Sequence, residues 1–236
     1  MCWKNKSTKN CGINVLQAMA GKNGFNFLRK RRQQSLQDMT VKTKKASTDY
    51  ASADPVVIDC RLVGIAPILF DRYAGDNKTE LPVAEKMYLD DAGHLTIPTI
   101  NIYSLLCAEN TKSVTRQFFG KNAKTTAMGI SAFVTIEPFD ALVLHDDNGP
   151  IVFSGFNEQI LVDKRVARLP KGIPNPKVRP RLNLPWYLEC TVTWTPNNLC
   201  TLENLRQAFV MGGVIGVGTY RHAFGRYRVD RFEVRS

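Results

Sequence analysis

The order of elements around residues 211–229, MGGVIGVGTYRHAFGRYRV, constrains the fold of this chain more than any other feature. Glycines at 212, 213, 216, 218 and 225 follow a helical pattern and precede a strand pattern. The helix is expected over 201–211, with Thr201 as its N-cap and Glu203 in its first turn. Leu202, Leu205, Phe209 and Val210 form its apolar stripe, and Gly212-Gly213 are expected to stop it. The strand is expected over 224–234, with a bulge near Val229-Asp230 where its alternation falters. A dinucleotide-binding turn needs the reverse order, because the helix N-terminus must hold the pyrophosphate. A Walker loop is excluded as well, since no Gly-Lys-Ser/Thr follows at the required spacing. What remains is a helix-to-strand connection. Gly216, Gly218 and Gly225 permit positive φ and close backbone approach. Tyr220, Arg221, His222, Arg226 and Arg228 offer stacking surface and phosphate partners. The bland alternative is a helix cap and bulged hairpin whose arginines are merely solvated.

The rest of the chain supplies strands for that helix to cover. VVIDCRLVG (56–64) alternates Val56, Ile58, Cys60 and Leu62 with Val57, Asp59 and Arg61, the period of a half-buried strand. Residues 71–94 read as a polar insertion. A helix is expected from Thr99, capped by its hydroxyl, with Ile102, Leu105 and Leu106 on the buried face. Lys112 to Lys124 reads as a basic loop, ISAFVTI (130–136) as a strand, and ALVL as a shorter strand before the turn DDNGP. Residues 163–187 hold five prolines and seven Lys/Arg. Prolines at that density exclude a helix or a central strand, which predicts an extended, exposed insertion. LECTVTW (188–194) alternates cleanly. Without the insertions the order is strand, helix, strand, strand, helix, strand: an α+β, ferredoxin-like (RRM-like) βαββαβ core.

Charge along the chain points to a polyanion. Residues 1–48 hold eleven basic residues and one acidic, residues 49–163 eight and sixteen, and residues 164–236 thirteen and four. A basic last third is the footprint of a polyanion partner, or else a solvated basic surface. The first 55 residues read as a basic, flexible tail, dispensable for folding, with Met39 as an alternative start. The six cysteines show no metal-ligand spacing and are expected to be reduced and buried, with the cytosol as compartment. No run has the length of a membrane span, and no metal or cofactor is expected.

GGVIGVGTYRHAFGRYRV resembles the C-terminal glycine-rich loop of the RAMP superfamily, the ferredoxin-like RNA-binding proteins of CRISPR systems. LVGIAPILF (62–70) is similar to that family's first strand, and HLTIPTINIYSLL to its "I-P, then helix" segment. The insertion at 163–187 lies where backbone subunits carry a thumb-like excursion, although this one is short. Tyr220 and Phe224 stand where many members are more polar. The chain also resembles uncharacterised phage and prophage proteins that end in a comparable loop. The resemblance covers 56–236 and implies an antiviral ribonucleoprotein. Its partners would be a single-stranded, guide-like RNA and further copies or other effector subunits, with no membrane and no small-molecule cofactor. It implies RNA contacts from Arg165, Arg168, Lys171, Lys177, Arg179 and Arg181 on the insertion and from the glycine loop. The family also includes RNA-cleaving members. Here His222, flanked by Arg221 and Arg226, is the candidate acid/base. His94 and His145 read as ordinary surface histidines, and Asp90 and Asp146 as Asx-turn residues. The expectation is a non-catalytic RNA-binding protein. Alternatives are a metal-independent endoribonuclease and a phage assembly or protein-interaction component.

Overall fold

A computed structural model describes residues 54–235, except Asn77, Thr111 and 169–173; of Ala167 and Arg168 only the backbone is described. The expected tail, apart from Asp54 and Pro55, lies outside the described residues, as do Met39 and Lys171. The described elements all belong to the unit Tyr50–Ser236.

The fold is mixed α+β. Strand β1 (Val56–Gly64) buries Ile58, Cys60 and Leu62, as its alternation predicts. It pairs antiparallel with β9 (Tyr187–Trp194) on one side and β10 (Tyr227–Val234) on the other. The register against β10 steps from Arg61↔Arg231 to Leu62↔Val229, so Asp230 is the extra residue of a bulge, where the sequence placed one. Strands β4 (Val134–Glu137) and β5 (Ala141–Asp146) both pair with β9, while β3 (Thr96–Pro98) and β6 (Gly149–Pro150) extend the sheet from β5. An order of last, first, third and second strand is compatible with a ferredoxin-like core, which the extra strands widen. A second sheet runs β2-β8-β7, from β2 (Ile68–Leu69), β7 (Ile160–Arg168) and β8 (Pro174–Leu182).

Four helices cover one face of the large sheet: α1 (Thr99–Cys107), α2 (Val114–Phe118), α3 (Ala123–Phe133) and α4 (Leu202–Ile215). Ile102, Leu105, Ile130, Leu205 and Phe209 meet Ile58, Leu62, Leu188 and Val192 in one core. The opposite face carries the other half of the strand alternation, including Asp59, Arg61 and Glu189, and is laced by ion pairs such as Arg231–Glu189 at 3.1 Å.

Several expectations need correction. The basic stretch 112–124 is not a loop: it forms α2 and the start of α3, with its lysines and arginine exposed and Val114, Thr115 and Ala123 buried. The segment 130–136 changes state in its middle. Ile130 to Phe133 finish α3, whose buried positions 123, 126 and 130 recur at helical spacing, and only Val134 onward is strand. The Thr99 hydroxyl does not cap α1; it donates to Pro138 O at 2.6 Å. Helix α4 has the expected cap, with Thr201 Oγ1 accepting from Asn204 N at 3.1 Å. Gly212-Gly213 do not end it, however, and Val210 is exposed. The two glycines sit inside the helix because β10 passes close by: a Cβ at Gly213 would lie 2.1 Å from Tyr227 O. The buried Tyr227 hydroxyl donates across this contact to Phe209 O at 3.0 Å.

The largest correction concerns 163–187. It is no extended excursion but a paired hairpin, with β8 as the central strand of the small sheet despite its prolines. Pro174, Pro176 and Pro180 occupy alternate residues, so their missing donors share one flank. Pro180 O accepts from Phe70 N at 3.1 Å, which identifies that flank as the one turned away from β7. The β7–β8 ladder therefore loses no donor to proline.

Candidate nucleic-acid interface

The glycine loop joins α4 to β10, as the sequence predicts. Its shape is fixed by main-chain bonds. Within the loop, Val217 N donates to Gly225 O at 2.9 Å and His222 N to Ile215 O at 2.6 Å. Toward the segment around β2, Thr219 N donates to Leu69 O (3.0 Å) and Gly225 N to Pro67 O (2.7 Å). Ile65 N donates in turn to Arg226 O at 2.8 Å. Gly216, Gly218 and Gly225 all take positive φ. Gly225 cannot be replaced without movement: at φ +67° its Cβ would lie 1.9 Å from Val217 O. Tyr220 (φ 53°) and His222 (φ 73°) also occupy the left-handed region, an uncommon state for such residues. Positive φ thus recurs at 218, 220 and 222, while the N–H groups of Thr219 and His222 are turned to Leu69 O and Ile215 O. Among the described residues nothing accepts from the N–H of Tyr220 or Arg221.

The hairpin grips this loop from the side. Arg179 is buried, 6% exposed; its guanidinium makes an ion pair with Asp71 at 2.6 Å and lies 4.8 Å from the Tyr220 ring centroid. Arg165 lies over the Phe224 ring at 4.5 Å and donates to Asp163 Oδ2 at 2.6 Å. Arg181 reaches the same carboxylate at 3.3 Å. The Arg165 guanidinium, helped by Arg181, holds the buried Asp163 carboxyl below its ordinary pKa. Three residues expected to reach a ligand from an exposed insertion are therefore engaged with carboxylates, and two of them, Arg165 and Arg179, also with the loop's aromatic rings. Lys177 on β8 has no carboxylate partner among the described residues, and Arg168 is placed by its backbone only.

The loop's own cations divide differently. Arg228 pairs with Asp230. Arg226 is exposed, with no carboxylate partner among the described residues. Arg221 is half-buried; burial lowers its pKa from the usual arginine value, and its Nε makes only a long bond, 3.4 Å, to Gly218 O. A partly desolvated cation with no carboxylate partner among the described residues, beside two N–H donors with no acceptor among them, can hold an anion. Sequence reasoning named the arginines but missed the backbone donors. The spacing of glycines at 216 and 218 was their only trace.

The other candidate groups lie elsewhere. His222 is exposed and has no carboxylate partner among the described residues. His94 Nδ1 is 2.7 Å from Asp90 Oδ2, in a turn that Asp90 also closes by accepting from Ala92 N. His145 stacks on Tyr187 at 5.2 Å. Asp146 accepts from Asn148 N at 2.8 Å, the Asx turn read from the sequence. Cys60, Cys190 and Cys200 are buried free thiols and Cys107 is half-buried. Among the described residues no group of three or more His, Cys, Asp or Glu could hold a metal ion, and no helix is long and apolar enough to cross a membrane.

The fold thus falls in the class of α+β proteins whose antiparallel sheet is covered by helices on one face. Among solved structures, one likeness in that class is to a chain of the Type III-B Cmr-beta bound to cognate target RNA, determined by cryo-EM. The TM-score is 0.50 at 10% identity, over 92% of this chain and 68% of that one. No protein-family model and no curated protein sequence matches this chain.

Proposed function

We propose that this chain is a non-catalytic RNA-binding protein that holds a single-stranded, guide-like RNA through its backbone, within a CRISPR-type ribonucleoprotein containing further copies or other subunits. One observation carries the reading: the glycine loop presents Arg221 and Arg226, with no carboxylate partner among the described residues, beside the N–H groups of Tyr220 and Arg221, for which no acceptor lies among those residues. Such groups recognise phosphate irrespective of base. The likeness in fold to a chain from an RNA-bound Cmr-beta structure supports the choice of RNA as that polyanion. Lys177 and Arg228 extend the basic surface, while Arg165, Arg179 and Arg181 brace the loop. Among the described residues His222 has no carboxylate partner to share proton transfer, which supports binding without cleavage.

Fluorescence anisotropy with a labelled single-stranded RNA at several salt concentrations tests this. Arg221→Ala with Arg226→Ala should weaken binding for all sequences and flatten the log–log salt slope by about 1.4, two phosphates at roughly 0.7 each. Unchanged affinity and slope would remove the loop from the binding surface. RNA cleavage that disappears in His222→Ala would instead establish an endoribonuclease.

A further inference from the structure

The two flanks of the small sheet differ in chemistry. On the β8 flank, three alternate prolines remove backbone donors, and β2 occupies what remains through Ile68↔Leu182 and Leu69↔Arg181. The β7 flank is unguarded. Its nine residues contain no proline, and no described strand pairs with its outer edge. The residues opposite Pro180 and Pro176 are Val162 and Val166. By alternation the outward-facing N–H and C=O groups are those of Val162, Lys164 and Val166, and nothing accepts from these three donors among the described residues. The side chains beside them are exposed, 40% for Val162 and 58% for Val166.

Charge selects what fits there. Of the hairpin's cations, Arg165 and Arg181 pair with Asp163 and Arg179 with Asp71, and Lys177 lines a cleft with Asp71, Asp76 and Glu80. Lys164 has no carboxylate partner among the described residues. Alternating donors and acceptors along the edge match a peptide backbone, and Val162 and Val166 match apolar side chains; a phosphodiester chain supplies neither. A second copy pairing antiparallel through β7 would set Lys164 and Arg165 near their own equivalents, a like-charge arrangement that protects natural edges. The chain's first 48 residues, with eleven basic residues and one acidic, have the wrong sign. We propose that the outer edge of β7 is a strand-addition site for an extended, acidic segment of a partner protein. This site stands independently of the RNA reading.

The test uses the full chain and two nine-residue peptides, one alternating Val with Glu and one alternating Val with Lys. The Val–Glu peptide should bind, and at saturation slow amide exchange at Val162, Lys164 and Val166 by about tenfold or more. Val166→Pro removes one outward donor without touching the β7–β8 ladder. It should weaken binding at least about tenfold while Val166→Ala weakens it far less. Should the proline variant misfold, Lys164→Glu serves instead and should shift preference toward the Val–Lys peptide. Absence of amide protection by the Val–Glu peptide overturns the proposal. So does protection of these amides by single-stranded RNA alone, or a concentration-dependent dimer that Val166→Pro abolishes.

Discussion

At the scale of single residues, Arg179 shows how a basic side chain can be legible while its role is not. The sequence marks it as a cation in an arginine-rich stretch and suggests an exposed arm. Its partners are Asp71, 108 residues away, and the ring of Tyr220, and no local pattern connects the three. Removing the guanidinium strands a carboxylate and uncovers the ring. We predict that Arg179→Ala lowers stability by about 1–3 kcal/mol in urea unfolding, the smaller end reflecting the partial exposure of Asp71. Joint replacement of Arg165, Arg179 and Arg181 should therefore lower the melting temperature, which exposed arginines on an unpaired insertion would not do. His222 gives the opposite case. Its φ of 73° suits Asn or Gly better than His, so His222→Asn is expected to leave the melting temperature unchanged or raise it. A clear drop would mean that the imidazole itself holds the loop.

Elements with one buried face were read correctly, as β1, β9 and the cap of α4 show, because alternation and capping chemistry are local. Residues 130–133 finish helix α3 although Ile130 and Phe133 favour strands in isolation; packing of Ile130 in the core overrides that preference. Strand β8 was excluded on proline content, yet its prolines share a flank where no β7 bond is needed. Proline content alone does not say which flank of a strand loses its donors. Two predictions belong here. Gly213→Ala forces a methyl group against Tyr227 O where α4 crosses β10 and should cost about 1–3 kcal/mol. Asp163 ties Arg165 and Arg181 and has a lowered pKa, so its contribution is present above the ordinary carboxylate value, about pH 4, and is lost as pH falls through the lower folded value. Asp163→Asn should accordingly be less stable at pH 7, with the difference in melting temperature narrowing under acid. A gap that stays constant down to pH 2 would show that the charge is irrelevant.

For the whole molecule, the sequence yields β1, β9, β10 and the helices α1 and α4, but not α2, α3, the β7–β8 hairpin or the division into two sheets, which depends on contacts between distant segments. Trp186 stands between β8 and β9 and joins the sheets. It is buried, its indole N–H donates to Ala66 O at 2.9 Å, and its carbonyl accepts from Gly64 N at 2.8 Å. Trp186→Ala should cost about 3–5 kcal/mol, measured by denaturant unfolding; a smaller loss would mean that the sheets are held together elsewhere. A last consequence comes from the way the glycine loop is fastened. Its anchors to Ile215, Leu69 and Pro67 are all main-chain atoms, and exchanging a side chain leaves such bonds in place. Mutational drift at Thr219, His222 and Ala223 can then alter what the loop touches while its mould persists. Lineages sharing this loop can diverge in ligand preference long before they diverge in architecture, and likeness of shape will outlast likeness of sequence.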